Sequence, residues 1–560
     1  MKPRVWISEA TFSDGTTLTF GKDEIIVFVG PNNVGKSAAL KELYRLLRHK
    51  TQAGKVIQTM QVDKEGSSED CIEYIRTTSI AEITTNPHPT YSGLGFSIYG
   101  SQIEGNWNNI NGLGELAPLF SNLLDTEQRL AAAKPATNIA LTTQAPQHPI
   151  HYLQRDDSVE ARFSGYFRMA FDMDMIVHRN AGNEVPLYVG TRPELQSGED
   201  RVSINYIRQL EMLAKLHEQG DGMRSFVGVL LNAFVGFHSM LFIDEPEAFL
   251  HPPQARLLGK MLAKDLPPGK QVFLSTHSID FIRGLLDAGA SNLKIVRIGR
   301  AGNVNTPSEL NSSEIESIWN DPLLRYSEIL QGLFHLQVVV CESDSDCRFY
   351  AAVLDAEVER RGAAIPDVMF THCGGKQRVA MVVKALKKLN VPVIAICDFD
   401  VLNAEEPLKS IVDELGGAWD DIKSEWACVK KEIEQKRPEL NTDDVQKAIG
   451  KILGDVSTPS LSDKNLKELK DILKKASPWA EAKTGGINYV PSGNANAACK
   501  KILEYCKDKG LLIVEIGQLE SFVRSVGNHG PKWVNDVLGK DLKSDPELED
   551  ARKFIWQVIK

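Results

Sequence analysis

No Cys-x-x-Cys pair occurs among the eight cysteines of this 560-residue chain, so neither a disulfide framework nor a structural zinc site is indicated. Long apolar runs are equally scarce. The longest, roughly Gly228 to Ile243, carries Asn232 and His238 and ends in two acids, which makes it a poor membrane span. The opening residues, MKPRVWISEATF, lack an apolar segment behind their two cations, so no secretory signal is expected. Positive charge is in deficit: 64 Lys and Arg stand against 74 Asp and Glu, a formal charge of −10. A protein that coats nucleic acid by charge alone is thereby disfavoured, although a local basic groove is not. Fixed-period repeats and long heptads are absent too. With 42% apolar and 25% charged residues, the expectation is a reduced, cytoplasmic, non-membrane protein of several domains.

What is present begins with an apolar β-branched run, Glu24 to Val29, a loop Gly30-Pro31-Asn32-Asn33-Val34-Gly35-Lys36-Ser37, and an amphipathic helical segment. The loop fits the phosphate-binding pattern GxxxxGKS in its required strand–loop–helix setting. Its glycines, with Asn32 and Asn33 between them, free backbone N–H groups to face phosphate oxygens, and the helix start adds partial positive charge. Lys36 is assigned to the β/γ-phosphates of ATP and the Ser37 hydroxyl to Mg²⁺. A second run, Met240 to Ile243, ends in Asp244-Glu245. Asp244 is assigned to the metal sphere and Glu245 to polarising the attacking water.

DEPEAFLHP followed by FLSTHS resembles the ATP-binding-cassette class of ATPases, especially the branch that includes the SMC and RecF proteins. That resemblance implies a D-loop at Glu247 to His251 and a switch histidine at His277. The signature that caps nucleotide across a dimer is placed at Glu218 to Arg224, with Gly220 and Gly222 as contacts; Gln196 to Glu199 is a rival in letters only. With one phosphate-binding loop and one signature per chain, the resemblance implies a homodimer or higher homo-oligomer with shared sites.

The C-terminal third carries acids after apolar strands. Leu336 to Cys341 is followed by Glu342, with Asp346 four residues on; Val391 to Cys397 is followed by Asp398-Phe399-Asp400; Leu511 to Ile516 precedes Glu520. Carboxylates beyond the C-terminal ends of parallel strands occupy the usual ligand edge of an open α/β sheet. Oxygen ligands without His or Cys favour Mg²⁺ or Mn²⁺ over zinc. The competing reading is that they are unrelated solvated acids.

Glu, then the Gly374-Gly375 turn, then DxD resembles the Toprim fold of topoisomerases, primases and nucleases. Such a module behind a cassette ATPase resembles the OLD (overcoming lysogenization defect) family of ATP-dependent nucleases, which includes the nuclease subunit of Gabija phage-defence systems. The implied fold is α/β throughout, an ABC-type P-loop ATPase domain followed by a Toprim domain with a helical insertion. The expected bounds are 1–325, with an inserted arm or dimerisation region at about 51–192, and 326–560, with the insertion at about 405–480. The resemblance also implies two metals, with Glu342 as bridge or base, Asp398 and Asp400 on one metal, and Asp346 with Glu520 on the other. A transition-state lysine is assigned to Lys532, with Lys483 and Lys376 as rivals. Lys376, Arg378, Lys384, Lys387 and Lys388 form either a phosphate-tracking run or a solvated helix face.

The expected activity is ATP-regulated, metal-dependent cleavage of nucleic acid, DNA in the first instance, in anti-phage defence or DNA processing. The resemblance also leaves room for a separate effector or helicase subunit. Two alternatives stay open: an ATP-driven DNA clamp or sensor without nuclease activity, and an RNase acting on tRNA.

Overall fold

The computed structural model describes residues 2–49, 53–82, 88–110, 112–310, 312–321, 328–436, 442–454, 460–474 and 478–559. The backbone divides into two compact units, Met1–Asn320 and Asp321–Lys560. The boundary expected between 325 and 326 lies outside the described residues, as do 437–441, 455–459 and 475–477 of the expected helical insertion and 51–52, 83–87 and 111 of the expected arm.

The first unit is built on a six-stranded sheet. In chain order its strands are β1 (Ile25–Val29), β2 (Ser121–Leu124), β3 (Met240–Asp244), β4 (Gln271–Ser275), β5 (Leu293–Ala301) and β6 (Val304–Leu310). They lie side by side in the order β6-β5-β1-β4-β3-β2, with only β6 antiparallel to its neighbour. All five residues of β1 are buried, as the continuous run of apolar β-branched and aromatic side chains requires of a strand covered on both faces. Between β1 and the Lys36–Arg48 helix the chain has just the phosphate-binding loop, and the helix lays Leu40, Leu43 and Leu47 onto the sheet.

Two stretches differ from their sequence reading. The Ser/Asn-rich segment Gly299 to Ser313, whose polar composition predicts a crossing between domains, is largely the β5–β6 hairpin, closed by Ala301 opposite Val304. The polar composition hid the alternating burial of Asn305 and Pro307, followed by a buried Leu310, that marks a half-buried edge strand. Within 51–192, Ile57–Glu65 pairs antiparallel with Arg4–Phe12, and β2 joins the main sheet beside β3. That stretch therefore supplies a sheet edge as well as helices such as Asp157–Phe171.

The second unit holds four parallel strands, β7 (Gln337–Cys341), β8 (Val368–His372), β9 (Val393–Cys397) and β10 (Leu511–Ile513). Their order is β8-β7-β9-β10; β8 is an edge strand absent from the sequence reading. Because all four run the same way, the chain segments after β7, β9 and β10 emerge at one edge. Between β9 and β10 lie the Glu405–Glu414, Lys423–Gln435, Thr442–Gly454 and Asp463–Lys474 helices, followed by Pro478–Gly485 and Asn494–Lys509. The core under the sheet includes Val339, Phe349, Tyr350, Phe522 and Trp533. No helix among the described residues is long and apolar enough to cross a membrane.

Candidate functional sites on the two units

In the first unit the loop from Gly30 to Gly35 is shaped for close backbone approach. Gly30 has φ 141°, and a Cβ there would stand 2.4 Å from the Ile298 carbonyl oxygen of β5; only glycine fits that turn. Asn33 and Gly35 also take left-handed conformations, while Asn32 and Asn33 are exposed. Lys36 is buried, and its Nζ donates to the Gly30 and Pro31 carbonyls at 2.7 and 2.6 Å. The ammonium is thus held over the loop where phosphate oxygens would replace those carbonyls.

Strand β4 separates β1 from β3, yet Ser37 Oγ reaches across to donate to Asp244 Oδ1 at 2.7 Å. Ser275 at the end of β4 donates to the same oxygen. The proposed Mg²⁺ residues Ser37 and Asp244 therefore meet. Next along the chain, Glu245 has φ 49°, a conformation that turns its carboxylate out of the strand. His277 Nε2 lies 3.5 Å from Glu245 Oε1. Burial and the nearby Lys36 push the His277 pKa down, against the pull of Glu245 and Asp244, so the ring is neutral near pH 7. Glu247 accepts from Thr276 Oγ1 at 2.6 Å and from the His277 N–H at 3.0 Å, tying the segment after β3 to the histidine loop.

Gly220 caps the Asp221–Leu230 helix, and a Cβ at Gly222 would come within 2.8 Å of the Phe249 carbonyl oxygen. The segment Glu218 to Arg224 thus contains a helix start, which packs on the Phe249 backbone of the same chain. Sequence reasoning missed Arg129. It sits in a stretch with no recognisable motif, yet its side chain is fully buried and donates to the Asp244 carbonyl.

In the second unit the expected acids gather at one sheet edge. The Asp398 N–H donates to Glu342 Oε1 at 3.1 Å, and the Leu519 N–H to Asp398 Oδ1 at 3.2 Å. Lys483 Nζ lies 3.2 Å from Asp398 Oδ2 and 3.8 Å from Asp400 Oδ2; Lys376 Nζ lies 2.8 Å from Asp400 Oδ2. Asp398 and Asp400 share a side for a reason other than strand alternation: β9 ends at Cys397, and Phe399–Asn403 is a 3₁₀ turn.

Burial, then the charges of Asp398 and Asp400, push Glu342 up to about 7. Asp398 is likewise pushed to about 7, chiefly by burial, with Lys483 pulling against it. Burial also raises Asp346, against hydrogen bonding from Ser343 and with a smaller upward push from Glu520. One Asp400 oxygen, Oδ1, is buried and has no hydrogen-bond partner among the described residues.

Three assignments change in detail. Asp346 does not simply face Glu342 across a helical turn. It is the third residue of a capping box, accepting from the Ser343 N–H at 2.7 Å, so its carboxylate already serves the helix start. Glu520 accepts from the Gly530 N–H at 3.0 Å and lies 3.7 Å from His529 Nδ1. Lys532, the lysine assigned to the transition state, is exposed on the Gly530–Leu538 helix, and among the described residues it makes no ion pair with these acids. The rivals Lys483 and Lys376 do. A lysine far along the chain gives no sequence signal of that proximity. The basic run is also divided: Lys376 serves Asp400, and Lys384 pairs with Glu414 at 2.8 Å. Among the described residues no three His, Cys, Asp or Glu side chains stand close enough to form a metal centre as they are.

Residues 181–283 match the family described as "AAA domain, putative AbiEii toxin, Type IV TA system". No curated protein matches the chain in sequence. Among solved structures, an SMC head bound to the C-terminal winged-helix domain of ScpA is similar at 13% identity, over 56% of this chain and 99% of its own, with a TM-score of 0.35. The SMC head domain from Thermotoga maritima is similar at 11% identity, over 56% and 100%, with a TM-score of 0.29. An SMC head with an extended coiled coil from Pyrococcus furiosus, bound to the C-terminal domain of ScpA, reaches 10%, 57%, 99% and 0.33. The match to an AAA-domain family, together with the loop, Ser37–Asp244 and Glu245–His277 geometry, supports a P-loop ATPase domain in the first unit.

Proposed function

We propose that this chain is an ATP-regulated, divalent-metal-dependent endonuclease that hydrolyses nucleic-acid phosphodiester bonds, with DNA as the first substrate to test. The observation that carries the reading is the meeting of Glu342 and Asp398 at one sheet edge, with both carboxyls pushed to about 7. Acids crowded in this way are stabilised by a cation. The donors are oxygens only, and Asp400 Oδ1 is buried with no hydrogen-bond partner among the described residues. The donor chemistry suits Mg²⁺ or Mn²⁺, around which these side chains would have to close. Glu342, Asp398 and Asp400 would hold the ions, with Asp346 and Glu520 at the margin. Ions held there would supply activation of a water for attack and neutralisation of charge on the phosphate.

Within this reading Lys483 replaces Lys532 as the cation beside the scissile phosphate. It already pairs with Asp398 and Asp400, so it can neutralise an added phosphate without moving far. The Toprim-like assignment of the second unit, the two-chain ATPase site through Gly220 and Gly222, and a role against phage belong to the same proposal. A second reading draws on the same ion pairs. If Lys483 and Lys376 satisfy the acids permanently, the second unit is inert and the protein is an ATP-driven clamp or sensor.

Supercoiled plasmid incubated with Mg²⁺ or Mn²⁺, with and without ATP, separates the two. The wild-type chain is expected to nick or linearise it only with metal, and Asp398→Asn to lose at least about 100-fold of that rate. Cleavage equal in the wild type and Asp398→Asn would point to a contaminant and leave the clamp. The Lys36→Ala chain shows whether nucleotide controls the cut.

A further inference from the structure

We infer that Arg129 is a positioning residue of the nucleotide site, which fixes the peptide between Asp244 and Glu245 to the Asp221–Leu230 helix so that the helix start sets the aim of the Glu245 carboxylate. The inference rests on reading the first unit as an ATPase. Arg129 is completely buried, an unusual place for a guanidinium, which is normally exposed or paired with a carboxylate. Among the described residues it makes no ion pair with a carboxylate, and its hydrogen bonds go to carbonyl and hydroxyl oxygens. Its Nη1 donates to the Asp244 carbonyl and, at 3.4 Å, to that of Leu124 at the end of β2. Its Nε donates to Ser225 Oγ at 3.2 Å and its Nη2 to Thr126 Oγ1 at 3.2 Å. Ser225 belongs to the Asp221–Leu230 helix and is itself buried.

One rigid, planar side chain therefore joins the end of β2, the end of β3 and the helix that begins at Gly220. The helix is pressed against the same residue from its other side: a Cβ at Gly228 would fall 2.1 Å from the Arg129 carbonyl oxygen. The Asp244 carbonyl is half of the peptide whose rotation determines where Glu245 points, and Glu245 leaves it in a left-handed conformation, φ 49°. A donor on that carbonyl resists rotation of the peptide. The charge matters too. Burial pulls the guanidinium pKa down, and Glu247, Asp244, Glu245 and Asp125, in that order, oppose the pull. The cation thus offsets part of the acids' mutual repulsion while its own hydrogen bonds go to carbonyl and hydroxyl oxygens.

Lysine cannot reproduce a planar fork with five donors. Steady-state ATPase measurements on full-length Arg129→Lys and Ser225→Ala, with turnover expressed per nucleotide bound, test the inference, because an unfolded fraction drops out of that ratio. Arg129→Lys is expected to keep ATP affinity within about threefold while kcat falls by about 100-fold, the cost of a misaimed catalytic group. Ser225→Ala, which removes one hydrogen bond and leaves the guanidinium in place, is expected to lose roughly tenfold in kcat. Turnover per bound nucleotide within about twofold of wild type in both variants overturns the inference. Should Arg129→Lys fail to fold, unchanged turnover in Ser225→Ala overturns it alone. A folded wild-type chain that binds ATP and never hydrolyses it would overturn the ATPase reading and this inference together.

Discussion

At the scale of single residues, burial and repulsion govern the acids of the second sheet. Glu342 and Asp398 are each held near 7, against about 4 for a carboxyl in an unfolded chain. A raised folded pKa means that the native state binds more protons than the unfolded state between those values. The stability this confers is complete below about pH 4 and is lost as pH rises through about 7. Without divalent cations, the midpoint of thermal unfolding of the full chain is therefore expected to fall between about pH 5 and pH 8, with Mn²⁺ restoring it more at the higher pH. Differential scanning fluorimetry at both pH values, with and without Mn²⁺, checks this. A midpoint that responds to neither pH nor Mn²⁺ in this range would mean that the acids do not form a cation site.

At the scale of elements, Lys483 reaches the acids because the Pro478–Gly485 helix presses against the segment after β10. Gly517 makes that approach possible. It has φ 124°, and a Cβ there would lie 2.4 Å from the Lys483 carbonyl oxygen. Gly517→Ala must push the helix back, at a cost of about 1–3 kcal/mol in stability, and is expected to lower cleavage more than ATP turnover. Chemical denaturation together with the two activities checks this; a variant with wild-type stability and cleavage would show that the close contact is not needed. The same elements show what was legible in the sequence. β1, β3, β7 and β9 were readable because buried parallel strands leave continuous apolar runs, and the residues at or beyond their ends, Lys36, Asp244, Glu342 and Asp398, stand at the sheet edges where such ends place them. β2, β6 and β8 were not, being short or edge strands whose polar residues break the run. Arg129 was illegible, and Lys483 could be named only as a rival to Lys532, for another reason: each is brought to its site by packing between segments far apart in the chain, which no local pattern records.

At the scale of the whole molecule, the chain carries two chemistries on separate units, a nucleotide site in Met1–Asn320 and an acidic edge in Asp321–Lys560. The first acts on a phosphoanhydride and the second, in the proposal, on a phosphodiester, so ATP hydrolysis can govern the cut only by changing conformation or assembly. It follows that metal binding at the acids should not require an intact phosphate-binding loop. Mn²⁺ binding to the full-length protein, followed by electron paramagnetic resonance near pH 8, tests the central claim most directly. The account expects ions bound by the wild type and by Lys36→Ala alike, and lost from a Glu342→Gln, Asp398→Asn double variant that keeps its fold. Equal Mn²⁺ binding by the wild type and that double variant would contradict it.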